Sequence, residues 1–314
     1  MSLSLAPFDP RQAREFPSPQ GEGEFCNGRR KEQNSRFQAK PERYSTPMAT
    51  DTKVPKNWFD QGGQVYARFR PEYPLSLAHF LGETATSRDC AVDVGCGNGQ
   101  LTVQLAAHFD QVVGLDPSAD QITNARVQKG VRYICAPAEN LPLPDRSASL
   151  ITAAQAAHWF DLPTFYAEAR RIATEGALIA LISYGVLQLP GDLQERFSRF
   201  YHGEIGPYWP PERKLVDSGY RDMSFPFEER EAPEMEIQRA WELDDFLGYL
   251  STWSAVQRVN DAGREDILTG FVRDISLLWG DPMKKQPVSW PINMRVGTYE
   301  RNRAVTDAPN GFAL

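Results

Sequence analysis

Short apolar runs alternate with amphipathic stretches along the middle of the chain. Runs that are apolar throughout are typical of strands covered on both faces, whereas the amphipathic stretches repeat with the period of a helix. The predicted strands are 91–95, 112–116, 131–136, 150–155 and 177–184, and the predicted helices are 98–108, 118–128 and 162–173. This alternation predicts an α/β fold with a doubly wound, mostly parallel sheet whose ligand lies beyond the carboxyl ends of the strands.

The pattern changes after residue 185. Helices are predicted at about 191–203, 212–218, 243–256 and 264–279, and strands at 234–241 and 289–301. These helices are more than are needed to cover the two faces of such a sheet. We therefore predict a core domain at 58–185, in which residues 137–147 replace a clear third helix or contain only a short one. Residues 186–314 are predicted to form a helical substrate cap and the final strands of the core sheet.

The N-terminal residues show no hydrophobic period. Residues 1–47 are rich in proline, glycine and charge, and no apolar pattern persists through even one helix. Little burial could then offset the entropy lost on ordering them. We expect residues 1–57 to be a disordered or mis-assigned tail. Initiation at Met48 is the preferred explanation, and a short docking tail is the alternative.

Composition narrows the class of partner. The net charge of −7 disfavours a general role on nucleic acid or on an anionic membrane. The four cysteines form no C-x-x-C pair, which indicates reduced thiols in the cytoplasm. The longest apolar stretch, 176–189, is too short to span a bilayer. We expect a cytoplasmic monomer or homodimer with a small-molecule partner.

The first predicted strand ends in a glycine-rich turn with the pattern Asp93-x-Gly95-x-Gly97-x-Gly99. Glycine permits a sharp change from strand to helix and lets a ligand approach the bare backbone. The turn lacks the Gly-Lys-Ser/Thr of a Walker loop, and Gln100 stands where a dinucleotide fingerprint has its third glycine. The spacing resembles the S-adenosylmethionine loop of class I methyltransferases. A glycine-rich turn of another doubly wound protein is the alternative.

The ends of the following strands supply more candidates for the cofactor site. Asp116 ends the second strand, where a carboxylate can accept hydrogen bonds from both ribose hydroxyls. Ala138 and Glu139 follow the third strand, where a backbone N–H and a carboxylate could meet an adenine, although ordinary solvation is the alternative for Glu139. The predicted cofactor-binding residues are Asp93, Gly95, Cys96, Gly97, Gly99, Asp116, Pro117, Ala138, Glu139 and Gln155.

Chemistry is expected in the segment 155–161, which follows the fourth strand. His158 is either a general base or a packed histidine that shapes the pocket. Tyr66 and Trp159 offer aromatic faces to the positive charge of a sulfonium. The segment is not the Asn-Pro-Pro-Tyr of amino-group DNA methyltransferases, and it lacks the carboxylates of a magnesium-dependent catechol enzyme. Tyr66, His158 and Trp159 are the catalytic candidates, and no metal is predicted.

Five motifs together resemble the fungal trans-aconitate 3-methyltransferase group and its bacterial relatives. They are 66–74, 92–99, 157–161, 206–209 and 252–255, and the resemblance extends from about Phe59 to Arg301. It implies a seven-stranded Rossmann-like sheet whose last strand is antiparallel. It also implies S-adenosylmethionine as cofactor and methyl transfer to an oxygen, most directly the carboxylate of a trans-aconitate-like acid.

A polycarboxylate acceptor would need fixed cations for the carboxylates that are not methylated. Arginine suits this task because its planar fork can bind a carboxylate through two hydrogen bonds. We predict Arg70 in an N-terminal lid, Arg213 in the cap and Arg295 on the last strand as anchors, with Tyr73 and Trp209 beside them. A surface salt bridge is the alternative for each arginine, and an exposed helix with ordinary aromatic anchors is the alternative for the lid.

Two interpretations from other classes remain open. One is a non-catalytic protein that senses S-adenosylmethionine, and the other is a nucleotide-sugar or NAD enzyme, which the glycine spacing disfavours. Among enzymes, a hydroxyl or amine acceptor is the alternative to a carboxylate. A carboxylate is already ionised at neutral pH. The lack of an obvious base or metal motif therefore fits a carboxyl acceptor best.

Overall fold

The computed structural model of the protein describes residues 70–301. The predicted tail at 1–57 and the candidate residue Tyr66 lie outside the described residues. No helix within 70–301 is long and apolar enough to cross a membrane.

One eight-stranded sheet passes through the described part of the chain. Its strands are β1 (Cys90–Val94), β2 (Gln111–Asp116), β3 (Val131–Cys135), β4 (Ala148–Ala154), β5 (Ala173–Tyr184), β6 (Glu228–Arg230), β7 (Met235–Trp241) and β8 (Gln286–Thr298). The order is β3-β2-β1-β4-β5-β8-β6, and β7 also pairs with β8. Strands β1 to β5 pair in parallel, and β8 runs antiparallel to β5. The predicted doubly wound sheet with an antiparallel last strand is confirmed.

The eighth strand is β6, which the sequence pattern did not reveal. It consists of Glu228, Glu229 and Arg230, all of them exposed. Backbone pairing with residues 296–298 of β8 forms it, so no apolar signal marks it in the sequence.

Helices cover the sheet and build the cap. They are α1 (Leu75–Thr84), α2 (Gln100–Leu105), α3 (Ala119–Thr123), α4 (Leu162–Ile172), α5 (Gly191–Arg199), α6 (Arg213–Asp217), α7 (Leu243–Ser251), α8 (Ser254–Asp261) and α9 (Glu265–Trp279). Short 3-10 turns occur at 157–159 and 206–208, and a π-turn at 200–204 extends α5. The single helix predicted at 243–256 is interrupted at Trp253, whose extended backbone begins α8.

Both faces of the sheet are buried. Ala91 and Leu150 belong to one hydrophobic cluster, whereas the neighbouring residues Val92 and Ile151 belong to the other. This alternation explains why the strands are apolar throughout. The cap helices α5 and α7 to α9 share the first cluster with α1, α2 and the sheet, so the cap is packed on the sheet without a separate core.

Residues 137–147 contain no helix, as predicted, and side chains of α4 hold them in place. Arg171 donates to the carbonyl oxygens of Leu141 at 2.7 Å and Leu143 at 2.8 Å. It also pairs with Glu168 and with Asp145. Glu168 in turn accepts a hydrogen bond from the backbone N–H of Leu141 at 2.8 Å. The planar fork of arginine thus replaces the hydrogen bonds that a helix would have made internally.

We expect Arg171→Lys to lower the free energy of unfolding by about 2–3 kcal/mol, because an ammonium cannot reach both carbonyls and both carboxylates. Urea denaturation measures this. Arg146→Lys, at an exposed position in the same loop with no side-chain hydrogen bond in the described chain, is the matched control. Equal stability of the two variants would contradict the role given to Arg171.

Candidate functional site

The predicted cofactor residues meet at one edge of the sheet. The glycine turn follows β1, Asp116 ends β2, and Gln155 follows β4. Because these strands are parallel, their carboxyl ends lie side by side. Tyr184, the last residue of β5, lies at the same edge, and its carbonyl accepts a hydrogen bond from the Gln155 amide at 3.1 Å.

The three glycines of the turn have positive φ for different reasons. The φ angles are +70° at Gly95, +54° at Gly97 and +84° at Gly99. A Cβ at Gly95 would lie 2.4 Å from the Cβ of Ala156, and a Cβ at Gly99 would lie 2.0 Å from the Tyr133 hydroxyl. A Cβ at Gly97 would meet only the Gln121 side chain, at 3.7 Å. Internal packing therefore requires Gly95 and Gly99, whereas Gly97 borders open space.

Two backbone N–H groups hold the carboxylate of Asp116, which can still accept further hydrogen bonds. One carboxylate oxygen accepts from the N–H of Gly97 and the other from the N–H of Ser118, both at 2.9 Å. Each oxygen retains a lone pair. The side chain is thus oriented to accept from two adjacent hydroxyls.

Asp93 is buried and makes hydrogen bonds that support the glycine turn. It is only 1% exposed, and its two oxygens accept hydrogen bonds from Thr102 at 2.7 Å and Thr152 at 2.8 Å. Burial raises the pKa of Asp93 to about 6, although the two threonines lower it. The structure therefore supports a role for Asp93 in linking β1 to α2 and β4, and its contact with the cofactor stays a prediction.

The remaining cofactor candidates have mixed roles. Cys96 lies in the glycine turn, where burial raises the pKa of its thiol. Ala138 is buried in the loop after β3, and Pro117 is exposed directly after Asp116. Glu139 accepts a hydrogen bond from the N–H of Asp161 at 2.8 Å, so its carboxylate fixes the start of α4. Gln155 has a φ of 54°, an uncommon conformation for a residue with a side chain.

His158 and Trp159 lie in the 3-10 turn after β4. The ring centroids are 4.9 Å apart, and Trp159 is 41% exposed. The Nδ1 of His158 lies 2.8 Å from the hydroxyl of Tyr220. Burial, with the charges of Arg213 and Arg70, lowers the pKa of His158 to about 3. The imidazole is therefore neutral at pH 7 and is a weak base.

The segment before α1 crosses this edge, as a lid would. Arg70 donates to the hydroxyl of Tyr184 at 2.9 Å, and its guanidinium lies 5.6 Å from the ring centre of Tyr249. The buried ring of Tyr73 packs 6.1 Å from that of Tyr184, and the Tyr73 carbonyl accepts from Gln104 at 2.9 Å. These contacts bring Arg70 and Tyr73 to the carboxyl end of β5.

Arg213, in the cap, lies within electrostatic reach of Tyr249, the same tyrosine that the Arg70 guanidinium contacts. Its Nε donates to the Tyr201 hydroxyl at 2.8 Å and to Asp217 at 3.0 Å, and its guanidinium lies 4.9 Å from the ring centre of Trp209. The side chain is only 17% exposed. Within residues 70–301 neither Nη makes a hydrogen bond. The fork of Arg213 is thus held at one edge and open at the other.

Three more donors near these arginines have no acceptor within the described residues. The Nε1–H of Trp209 is buried without a hydrogen bond. The hydroxyls of Tyr184 and Tyr249 accept from Arg70 and Trp290, respectively, and make no further hydrogen bond. Ring contacts of 5.2–5.4 Å connect Trp209 through Trp253 to Tyr249. The surroundings of the two arginines are therefore rich in donors.

Arg295 has a different role from the one predicted. Its guanidinium binds the carboxylate of Glu229 and the carbonyl oxygens of Tyr220 and Met223. With these partners and the ring of Phe225 at 4.9 Å, the fork is fully engaged. We therefore no longer assign Arg295 as an acceptor anchor, because it ties β8 to the chain segment that follows α6.

Sequence reasoning missed the tyrosines of this site. Tyr201, Tyr220 and Tyr249 are buried and lie within electrostatic reach of Arg213. Tyrosine in an amphipathic helix is indistinguishable from a core residue by pattern alone. A sequence signal does exist at Tyr220, which follows Gly219 at the end of a predicted helix, where a helical C-cap is expected.

Known proteins resemble most of this chain. Residues 92–181 match the family model described as a methyltransferase domain. A Dictyostelium discoideum protein described as a methyltransferase is 37% identical over 228 residues, and the match covers 71% of this chain and 86% of that protein. A Saccharomyces cerevisiae protein described as an S-adenosylmethionine-dependent methyltransferase is 33% identical over 128 residues, and the match covers 38% of this chain and 44% of that protein.

A solved structure agrees with these relatives. The structure described as a type II methyltransferase from Anaeromyxobacter dehalogenans is 44% identical, with a TM-score of 0.69. The match covers 73% of this chain and 98% of that one.

We expect Gly97→Ala to reduce the affinity for S-adenosylhomocysteine more than tenfold, because its methyl group would enter the open space that the turn borders. The positive φ should cost about 1–2 kcal/mol of stability. Gly263→Ala is the matched control, since Gly263 has a φ of +64° and open surroundings in the cap. Calorimetry should find normal binding by that variant. Equal affinity of both variants would remove Gly97 from the cofactor site.

Asp93 makes stability depend on pH. Its folded-state pKa of about 6 exceeds the usual value of 3.8, so the folded protein binds this proton more tightly than the unfolded chain does. The protonated carboxyl therefore stabilises the fold at low pH, and this contribution is lost as pH rises through 6. Without cofactor, the wild type should lose roughly 1–2 kcal/mol of stability relative to Asp93→Asn between pH 5 and 7.5. Urea denaturation at both pH values tests this. A difference that does not change with pH would contradict the raised pKa.

Proposed function

The chain belongs to the class I S-adenosylmethionine-dependent methyltransferases, and on this premise we propose that it methylates a carboxylate of a small acid with more than one carboxylate, such as a trans-aconitate-like acid. The observation that carries the proposal is the open fork of Arg213. An arginine whose side chain is only 17% exposed, with neither Nη hydrogen-bonded within the described chain, supports binding of an anion there.

The residues at the sheet edge fit the cofactor. When bound, S-adenosylmethionine supplies a methyl group on a positively charged sulfonium, which an oxygen nucleophile can displace. Asp116 offers a spare lone pair on each oxygen to a ribose, and Gly97 leaves open space beside it. Trp159, with 41% of its surface exposed at this edge, offers an aromatic face to positive charge.

The chemical character of the acceptor pocket supports an anion with several oxygens. Arg213, Trp209, Tyr184 and Tyr249 all present donors without acceptors in the described chain. The carboxylate in this group, Asp217, accepts hydrogen bonds from both Arg213 and Tyr201 on one of its oxygens. A ligand rich in donors would leave these groups unpaired, which is costly in a buried site. A dicarboxylate or tricarboxylate would satisfy them.

A carboxylate acceptor does not have to lose a proton before it attacks the methyl group. It is ionised at neutral pH, so the protein need only align it with the methyl group and exclude water. Such alignment can lower the barrier by up to about 7–11 kcal/mol. A phenol or ammonium acceptor would need a base, and the pKa of His158, lowered to about 3 by burial and by Arg213 and Arg70, makes it a poor one.

We assign the flanking segments by the same reasoning. Residues 70–74 act as the part of the lid that carries Arg70 over the end of β5. The cap at 186–314 supplies Arg213 and Trp209. The acceptor is thus enclosed between two segments that the bare sheet lacks, and closure would exclude water from the reacting atoms.

A panel of acceptors tests the proposal. The protein is incubated with S-adenosylmethionine labelled in its methyl group and with di- and tricarboxylic acids, phenols and amines. Label should enter the polycarboxylic acids, and mild alkali should release it as methanol, because esters hydrolyse where methyl ethers and methylamines do not. Alkali-stable label in a phenol or amine would refute the carboxylate assignment.

We expect Arg213→Lys to reduce kcat/KM for the acid by roughly 10–100-fold, mainly through KM, since the open fork contributes about 1.5–3 kcal/mol to binding. Affinity for S-adenosylhomocysteine should stay within twofold. Arg221→Lys is the matched control, an exposed arginine of the same cap. Unchanged acceptor kinetics in Arg213→Lys would exclude Arg213 as an anchor.

A further inference from the structure

Beyond this assignment, the contact between His158 and Tyr220 specifies what His158 does. The imidazole has one hydrogen-bond partner in the described chain, the Tyr220 hydroxyl, 2.8 Å from Nδ1. The opposite ring nitrogen, Nε2, has none there. Which nitrogen carries the proton decides whether Nε2 donates or accepts.

The surroundings of Tyr220 settle the direction of this bond. Tyr220 is 0% exposed, and His158 is the only hydrogen-bond partner of its hydroxyl within residues 70–301. If Nδ1–H donated to the hydroxyl, the phenolic proton would be buried without an acceptor, which carries the full cost of desolvation. If the hydroxyl donates to Nδ1, that proton is satisfied. The proton of the neutral imidazole then lies on Nε2.

The backbone holds Tyr220 in place at a cost. Its φ is 64°, a conformation that bulky residues avoid. Three hydrogen bonds maintain the turn: Tyr220 N–H to Leu215 at 2.8 Å, Gly219 N–H to Val216 at 2.9 Å, and Arg295 to the Tyr220 carbonyl at 3.3 Å. Strain that surrounding contacts sustain in this way is typical of functional positions.

We propose that Tyr220 is a positioning residue that fixes His158 with its proton on Nε2, so that His158 donates a hydrogen bond to the acceptor carboxylate and does not act as a base. This inference rests on the proposed function. It gives His158 the same hydrogen-bonding character as Arg213, whose charge acts on the imidazole, because an N–H group can only donate. Arg295, two contacts away, acts through the Tyr220 backbone.

The tautomer can be observed without any acceptor. The chain has four histidines, so labelling the full-length protein with ¹⁵N-histidine gives few signals, and loss of one set in His158→Gln assigns them. Long-range ¹H–¹⁵N correlation spectra at pH 7 should show the proton of His158 on Nε2. A proton on Nδ1 would overturn the inference, whatever substrate the enzyme uses.

Kinetics test the donor role. Glutamine can donate from its amide but cannot serve as a base, so His158→Gln should keep kcat/KM for the acid within about tenfold of wild type. His158→Ala should lose at least tenfold more. Equal, large losses in both variants would overturn the donor role and indicate a base.

Tyr220→Phe separates positioning from packing. It should give a mixture of His158 tautomers and raise KM for the acid several-fold, with kcat and S-adenosylhomocysteine affinity retained. A single Nε2–H tautomer in this variant would overturn the positioning role.

If the variant does not fold, the wild-type spectrum still decides the direction of the bond. If that spectrum shows Nε2–H but no acid is methylated, the proposed function falls while the positioning role of Tyr220 stands.

Discussion

The contact between Arg213, Tyr201 and Asp217 is the constraint on which the proposed acceptor site depends. It holds a poorly solvated guanidinium by its Nε edge and leaves the Nη edge open. A π-turn at 200–204 carries Tyr201 into this position, and the rings of Trp209 and Trp253 enclose it. A poorly solvated charge without a partner is costly, which is the reason for proposing this guanidinium as an anion site.

The parallel sheet brings the candidate cofactor residues and the proposed acceptor residues to one edge. Asp116 and Gly97 lie after β2 and β1, whereas His158 and Tyr184 lie after β4 and at the end of β5, along the same edge. Asp93 of β1 is linked to α2 through Thr102 and to β4 through Thr152, so the strands that precede the glycine turn and the segment with His158 are held together. Catalysis by alignment needs this rigidity, since a small displacement would remove most of the advantage.

The fold could be predicted from the sequence, and the candidate cofactor residues could be assigned to one edge of the sheet, because both depend on local pattern. Apolar strands, the glycine spacing and Asp116 can be read within short windows. The acceptor site depends on contacts between distant segments, and there the pattern was less informative. Arg213 and Arg295 looked alike in sequence, yet Glu229 and two carbonyls engage Arg295 while the fork of Arg213 stays open. Likewise β6 has no apolar residue, and Tyr220 meets His158 across 62 residues of sequence.

The central claim is that a buried, donor-lined site holds a carboxylate that does not react. The most direct measurement is the affinity of a dicarboxylic acid substrate for the protein saturated with S-adenosylhomocysteine, compared with that of its monoamide, by calorimetry. The account predicts that the monoamide binds at least about tenfold more weakly, because a neutral amide forfeits a charge-assisted pair with Arg213. Equal affinities would contradict it and would leave the open fork of Arg213 without the role assigned to it.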